Sequence, residues 1–220
     1  MVNLATMLRL STVGSPGHGA GLAAGATARW EWRIFERCPA SLIERVAPRG
    51  GAAHPSRETY LLSSASRHNV KVRSGRLDVK LLEAVGPAGI QRWRPVCQSA
   101  FPIARGAFDV LWRAWGVQPT ALDRSSYTLD QLLGEVVALD PRLSAVRVGK
   151  VRRRFTLAGC SAECAALTVA GLHWMSLAVE DERARDLLIA IGSLGDWPLP
   201  ADYPTMLKHL ADPASLTTHE

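Results

Sequence analysis

The sequence predicts an α+β fold: a closed or nearly closed antiparallel β-barrel with a polar interior, flanked by helices. Several short segments alternate between polar and apolar residues, which is typical of β-strands with two different faces. The polar faces repeat one chemistry, Arg and Lys with a few Glu, and the opposite faces are bulky and apolar. A sheet closed on itself with its charged face inward accounts for both patterns, because helices can then cover the apolar face.

The first strand follows a leader. Residues 1–27 are rich in Gly, Ala, Ser and Thr and show no sustained period, so we expect them to be disordered. Residues 29–35 read RWEWRIF and alternate strictly. This alternation places three polar side chains on one face, those of Arg29, Glu31 and Arg33.

The next strands bring basic residues onto the same kind of face. They are predicted at residues 58–62, 69–73 and 77–81. The second groups Lys71 with Arg73, and the third carries Lys80 on its polar side. The dipeptide Ser74-Gly75 between these two strands is typical of a tight hairpin turn.

Strands resume in the second half of the chain. Lys150, Arg152 and Arg154 alternate with Val151, Arg153 and Phe155 along one segment. Acidic residues follow on two later strands, Glu163 on the first and Glu180 on the second. The alternation predicts that Arg153 points away from the barrel interior while its two arginine neighbours point into it.

Three segments have the spacing of helices: 104–117, 128–139 and about 183–194. In the second, Thr128 and Gln131 are placed as a capping box. We expect the first two to form a helical insert of about 104–140 within a barrel domain of residues 28–195. Residues 196–220, rich in Pro and Asp at their start, are expected to be a C-terminal tail packed as a strap.

The amino-acid composition limits the kinds of partner that the protein is expected to bind. The 26 Lys and Arg against 20 Asp and Glu give a net charge of +6, which suits a partner that carries phosphate. Nucleic acid is disfavoured, because no helix carries clustered basic residues and the Trp residues lie opposite the charges. No secretory signal or membrane span is visible, so we expect a cytoplasmic protein without a membrane partner, as a monomer or homodimer.

The predicted interior has a chemical meaning. Enclosed cations are unfavourable unless a polyanion or acidic neighbours compensate them. Guanidinium groups pair with two phosphate oxygens at once, and carboxylates among them can hold Mg²⁺ or Mn²⁺, which prefer oxygen ligands. The alternative is a sheet with one solvated, salt-bridged face. It must also explain why the same chemistry recurs on five or six strands.

The order of these strands resembles the CYTH superfamily, also called triphosphate tunnel metalloenzymes. That family begins with an ExExK strand, continues with basic strands similar to LRIR, and ends with an acidic strand similar to EIE. The matching segments here are 29–33 (RWEWR), 69–73 (NVKVR), 150–154 (KVRRR), 162–164 (AEC) and 177–180 (LAVE). The resemblance covers about residues 28–195.

The resemblance implies a role for each interior charge. The basic residues would hold a triphosphate: Arg29, Arg33, Lys71, Arg73, Lys80, Arg152 and Arg154. The acids Glu31, Glu163 and Glu180 would hold a divalent metal, Mg²⁺ or Mn²⁺, and carry the catalysis. The sequence departs from the family pattern at Arg29, where the first Glu is expected, at Arg33, where the Lys is expected, and at Ala178, where a late acid is expected.

Several functions remain open from the sequence. The leading hypothesis is that the chain binds and hydrolyses a small molecule containing a triphosphate, either inorganic or nucleoside or another organic triphosphate. Because some of the acids expected from the family pattern are missing, the sequence also fits a non-catalytic polyphosphate-binding or nucleotide-binding module. A nucleotide cyclase is a third alternative, but it needs a base pocket and a ribose-activating group that the sequence does not reveal.

Overall fold

A computed structural model of the chain describes residues 27–37, 46, 52–118 and 121–211. The first 26 residues of the predicted leader and residues 212–220 of the predicted tail lie outside the described residues. Eight strands form the main sheet: β1 Arg29–Glu36, β2 His54–Ser63, β3 Asn69–Arg73, β4 Arg76–Val85, β5 Gln91–Ala100, β8 Leu143–Leu157, β9 Cys160–Val169 and β10 Leu172–Asp181. Two short strands, β6 Ile103–Ala104 and β7 Ser126–Tyr127, pair with each other beside it.

The main sheet closes into a barrel. Its order is β1-β10-β9-β8-β2-β3-β4-β5, with β5 paired back to β1, and the pairs are antiparallel. Three of its hairpin turns have positive φ at both central residues: Ser74-Gly75, Ala158-Gly159 and Ala170-Gly171. Such turns match the right-handed twist of the strands that they join. The predicted closed antiparallel barrel is therefore confirmed.

Helices cover the apolar outer face of the barrel, as predicted. They are α1 Phe108–Trp115, α2 Leu129–Gln131 continuing as a π-helical segment Leu132–Val137, and α3 Ala184–Gly192. A further helix, α4 Tyr203–Ala211, packs against inward-facing residues of the barrel. Helices α1 and α2 pack on Val70, Leu77 and other outward residues of β3 and β4. Helix α3 packs on Ile34 and Leu177 of β1 and β10. The capping box of Thr128 and Gln131 is present at the start of α2.

Helix α4 was not predicted, because the Pro and Asp residues at the start of this segment indicated a strap. It begins at Asp202, whose carboxylate accepts a hydrogen bond of 2.7 Å from the backbone N–H of Thr205 and so caps the first turn. Tyr203 and Leu207 pack against inward-facing residues of the barrel, such as Tyr60 of β2. The C-terminal segment, which was expected to be a tail packed as a strap, thus enters one end of the barrel.

None of the helices that the structure describes is long and apolar enough to cross a membrane.

Candidate functional site

The charged inner face of the barrel lines a central cavity of about 190 Å³. Strand alternation brings these side chains into phase, because residues two apart on a strand point to the same side. The lining residues are Glu31, Arg33, Glu58, Asn69, Lys71, Arg73, Lys80, Trp93, Lys150, Arg152, Arg154, Glu163, Glu180, Asp202 and Tyr203.

A second cavity, of about 270 Å³, shares Arg154, Glu163 and Glu180 with the first. Arg29 and Ser161 complete much of its wall. The ten site residues expected from the sequence all lie around these two cavities: Glu31, Glu163, Glu180, Arg29, Arg33, Lys71, Arg73, Lys80, Arg152 and Arg154. The structure therefore brings together the whole predicted set.

Sequence reasoning missed several residues of the wall. Lys150 was placed on the same strand face as Arg152 but was not assigned to the site. Glu58 carried a usable signal, since it lies two residues from another inward residue, Tyr60. Asp202 and Tyr203 carried none, because they come from the C-terminal segment and not from an alternating strand.

Cations outnumber acids in the central wall. Among the described residues, seven Arg and Lys side chains and five Asp and Glu side chains line this cavity. One of the five acids, Asp202, is paired at 2.8 Å with Arg67, which lies outside the wall. The interior is therefore basic, and an anion that enters it would find charges already oriented.

Glu58 compensates three of these cations. Its Oε2 lies 2.9 Å from Lys150 Nζ and 3.4 Å from Lys71 Nζ, and its Oε1 lies 3.8 Å from Arg73 Nη1. Tyr60 Oη also donates a hydrogen bond of 3.1 Å to Oε2. Burial raises the pKa of Glu58, but the charges of Lys71 and Lys150 outweigh it and lower the pKa to about 2.

The lysines beside Glu58 are poised to titrate in mildly alkaline solution. Burial lowers the pKa of Lys71 to about 8, although the charge of Glu58 opposes this shift. Burial lowers the pKa of Lys150 to about 8 as well, against the same opposition from Glu58. Both side chains are therefore charged at neutral pH and lose that charge above pH 8.

Two carboxyl groups face each other across strands β1 and β10, where Glu31 is directly opposite Glu180. Burial and the neighbouring charge of Glu31 raise the pKa of Glu180. Burial also acts to raise the pKa of Glu31, but Arg33 outweighs it and lowers that pKa, through its charge and a hydrogen bond of 2.9 Å from Nε. Glu180 therefore keeps its proton to a higher pH than Glu31 does.

This carboxyl pair fits a divalent cation better than the remaining acids do. Glu163 lies 3.5 Å from Arg154 Nε and 3.8 Å from Arg152 Nη1, so its charge is already engaged. Glu31 is likewise paired with Arg33 at 2.9 Å, but Glu180 opposite it has no Arg or Lys partner within 4 Å among the described residues. Within the described ranges, no group of three His, Cys, Asp or Glu is arranged to hold a metal ion. Mg²⁺ commonly uses one or two carboxylates and takes its other ligands from phosphate and water. The pair of Glu31 and Glu180 meets that requirement for one ion.

Arg29 lies in the second cavity, where it replaces an expected acid. Its Nη2 is 3.4 Å from the carboxylate of Glu182, and both side chains are more than half exposed. An exposed pair of this kind contributes little to stability. Arg29 can therefore give up its contact with Glu182 and bind another anion with little loss of stability.

Polar atoms without a hydrogen-bond partner also face the central cavity. Among the described residues they include Glu58 Oε1, Asn69 Oδ1, Trp93 Nε1 and Arg152 Nε, all buried. Buried polar atoms are seldom left unpaired in proteins. The wall is thus suited to a polar ligand or to ordered water.

The closed barrel, its charged interior and the order of its basic and acidic strands are those that the CYTH resemblance implies. The fold is CYTH-like. No protein-family model matches the chain, and no curated protein matches it.

Solved structures similar to this CYTH-like barrel share little sequence with it. A candidate adenylate cyclase from Bacillus halodurans is 9% identical, with 81% of this chain and 97% of that chain covered and a TM-score of 0.45. The PH1012 protein from Pyrococcus horikoshii is 13% identical, with 78% and 94% covered and a TM-score of 0.41. A candidate adenylyl cyclase from Hippeastrum, described with a dominant triphosphatase activity, is 10% identical, with 87% and 100% covered and a TM-score of 0.45. Similarity at this level does not bear on the activity of the chain.

Replacing Glu58 should destabilise the CYTH-like barrel. In Glu58→Gln the cations Lys71, Arg73 and Lys150 lose their shared partner, and we expect the free energy of unfolding to fall by about 3–5 kcal/mol. Urea denaturation measures this change. The control is Glu83→Gln, which removes a partly exposed partner of Arg94 and should cost about 1 kcal/mol or less. Equal losses in the two variants would contradict the role given to Glu58.

Binding of inorganic triphosphate without metal should weaken as the pH rises through 8. Lys71 and Lys150 are charged below that pH and lose protons above it, and each charge-assisted contact is worth about 1.5–3 kcal/mol. Calorimetry in EDTA between pH 6.5 and 9.5 tests this dependence. Lys71→Arg should flatten the curve, because the guanidinium stays charged over this range. An unchanged affinity across the range would contradict it.

Proposed function

We propose that the cavity binds a small molecule that contains a triphosphate and, with one divalent cation, hydrolyses a phosphoanhydride bond in it. The observation that carries this proposal is a basic wall interrupted by one facing carboxyl pair, Glu31 and Glu180. The wall suits phosphate oxygens, and the pair suits one Mg²⁺ or Mn²⁺.

The residues of the wall would act by position and charge. The triphosphate would be held in place by hydrogen bonds that its oxygens accept from Arg33, Lys71, Arg73 and Arg152. A cation bound to Glu31 and Glu180 would neutralise charge that develops on the transferred phosphoryl group. Phosphoryl transfer needs little covalent work from the protein, so these groups could supply most of the catalysis.

Glu163 would have a supporting role in this mechanism. It is held between Arg152 and Arg154 at the junction of the two cavities. From there its carboxylate would orient both guanidinium groups and could accept a hydrogen bond from the attacking water. This role differs from the metal ligation that the family resemblance implies for Glu163.

A non-catalytic module that binds polyphosphate or a nucleotide is the second candidate. It is favoured by Arg29 at the second cavity and by the engagement of Glu58 and Glu163 with cations, which leaves few acids for metal. A nucleotide cyclase is not favoured, because it needs an apolar pocket for the base and the cavity wall is mostly charged.

Arg152→Ala should weaken binding of inorganic triphosphate by about 10- to 150-fold, because it removes a charge-assisted contact. The matched control is Arg153→Ala on the same strand. Arg153 is exposed and does not line either cavity, so its loss should change the affinity by less than about twofold. Calorimetry on both variants measures the difference. Similar losses would show that net charge alone drives binding.

The test for hydrolysis is a phosphate-release assay with inorganic triphosphate, ATP and thiamine triphosphate, in Mg²⁺, Mn²⁺ or EDTA. We expect release that requires metal. Glu180→Gln should lower the rate by about 100-fold or more, since a bound metal supplies several kcal/mol of charge stabilisation. Triphosphate binding in EDTA should survive this substitution.

Glu182→Gln serves as the control for Glu180→Gln, because Glu182 is exposed and lies outside both cavities. Its release rate should match that of the unchanged protein. Equally tight triphosphate binding in EDTA and in Mg²⁺, with no phosphate released under any metal, would contradict hydrolysis and support the binding module. Release that persists in EDTA would contradict the role of the metal.

A further inference from the structure

The helices that the structure describes cover only part of the outer face of the barrel. Helices α1 and α2 pack on outward residues of β3 and β4, and α3 packs on those of β1 and β10. Val151, in the middle of β8, belongs to none of the hydrophobic clusters beneath these helices and is 43% exposed. A groove of about 550 Å³, which we call the outer groove, lies at this position.

The outer groove and the central cavity lie on opposite sides of the sheet. Val151 is part of the wall of the groove, and it alternates along β8 with Arg152, which lines the central cavity. Consecutive residues of a strand point to opposite sides of the sheet. The groove is therefore a separate site, and its volume is typical of sites that bind small organic molecules, which measure about 300–1,000 Å³.

Two rows of residues cross the strands side by side and form most of the groove. In the first row, Pro55 of β2, Val151 of β8, Ala166 of β9 and Met175 of β10 are paired in turn. All four are apolar and line the groove. Neighbouring strands lie about 4.8 Å apart, so this apolar row is roughly 14 Å long.

The second row is polar and lies two residues along each strand from the first. It consists of Arg57 of β2, Gly149 of β8, Thr168 of β9 and His173 of β10, which are paired in turn and also line the groove. Gly149 has no side chain, which leaves a gap in the row between Arg57 and Thr168. Thr168 Oγ1 lies 3.5 Å from His173 Nδ1. The gap is thus flanked by a guanidinium and a hydroxyl, and both can donate hydrogen bonds to an anion.

The cations of the groove are not compensated by acids in the described part of the chain. The side chain of Arg57 is exposed and makes no ion pair or hydrogen bond with a described residue. Arg37 lines the groove near Met175, because it follows Glu36, which is paired with Met175. Its Cζ lies 5.6 Å from the centroid of the Trp174 ring. Positive charge therefore lies beside an apolar surface.

We propose that the outer groove binds an amphipathic organic anion, a molecule with an extended apolar body and one acidic group. The acidic group fits the gap at Gly149, where Arg57 and Thr168 donate hydrogen bonds to its oxygens. The apolar body lies along Val151 and Ala166 and removes them from water. A polyphosphate suits this groove poorly, because its oxygens would lose water against the apolar row. The site is independent of the proposed phosphate binding inside the barrel.

Calorimetry with decanoate tests this proposal, since its alkyl chain is about as long as the apolar row. Decanamide is the matched neutral probe, and acetate supplies the acidic group without the apolar body. We expect decanoate to bind at one site, and decanamide to bind about 10- to 150-fold more weakly, because a charge-assisted contact is lost. Acetate should not bind measurably. Equal affinities for decanoate and decanamide would overturn the proposal, and so would failure of decanoate to bind.

Arg57→Gln should weaken decanoate binding by a similar factor and leave the affinity for decanamide within about twofold. The control is Arg147→Gln. Arg147 is exposed on the same face of β8 and does not line the groove, so its loss should change the affinity for decanoate by less than about twofold. Equal losses in the two variants would show that net charge alone attracts decanoate, and would overturn the assignment.

Ala166→Phe fills the groove from the outer side of the sheet and should abolish decanoate binding. Ala166 is exposed, so the added ring stays outside the hydrophobic core, and the urea midpoint of this variant should match that of the unchanged protein. Decanoate binding that survives Ala166→Phe would overturn the outer groove as the site. Displacement of decanoate by inorganic triphosphate would overturn it as well, because it would place decanoate inside the barrel.

Discussion

Seven cationic side chains in the described part of the chain line the central cavity, and enclosing each of them is unfavourable unless an anion lies nearby. Glu58 meets this requirement for Lys71, Arg73 and Lys150 with a single carboxylate. The arrangement depends on the barrel, because β2 is paired on one side with β3 and on the other with β8, the strands that carry these cations. Closure of the barrel brings the cations together, and it also places beside them the Glu58 carboxylate that compensates their charge.

The acids of the cavity differ in how far neighbouring cations already neutralise their charge. Glu58 and Glu163 are surrounded by Arg and Lys, so their charges are largely spent on holding those cations. Glu31 is paired with Arg33 as well, but Glu180 faces it with no Arg or Lys partner within 4 Å among the described residues, and burial and repulsion from the charge of Glu31 raise the pKa of Glu180. A divalent cation would relieve that repulsion. Under the proposed function, Glu31 and Glu180 would hold one metal ion while the cations of the wall bind a polyanion.

Helix α4 links the apolar core to the chemistry of the site. Its buried residues extend the hydrophobic cluster inside the barrel, and the same helix places Tyr203 beneath Arg33 and Lys150. Aromatic rings stabilise cations that have lost water, so the Tyr203 ring supports charges that the barrel alone would leave poorly solvated. The length of the cavity is set by how far this helix enters.

Local alternation in the sequence determined which face of each strand is charged, because side chains two apart on a strand share a side. Arg29, Glu31 and Arg33 on β1 and Arg152 and Arg154 on β8 could therefore be assigned to one interior, and the closed barrel with them. The partners of those charges depend on strand register, which brings Glu58 between Lys71 and Lys150 across positions far apart in the chain. Tyr203 and Asp202 lay beyond any such inference. The sequence of a short helix does not reveal what the helix packs against, and only packing against the barrel interior decides that this one enters the barrel at one end.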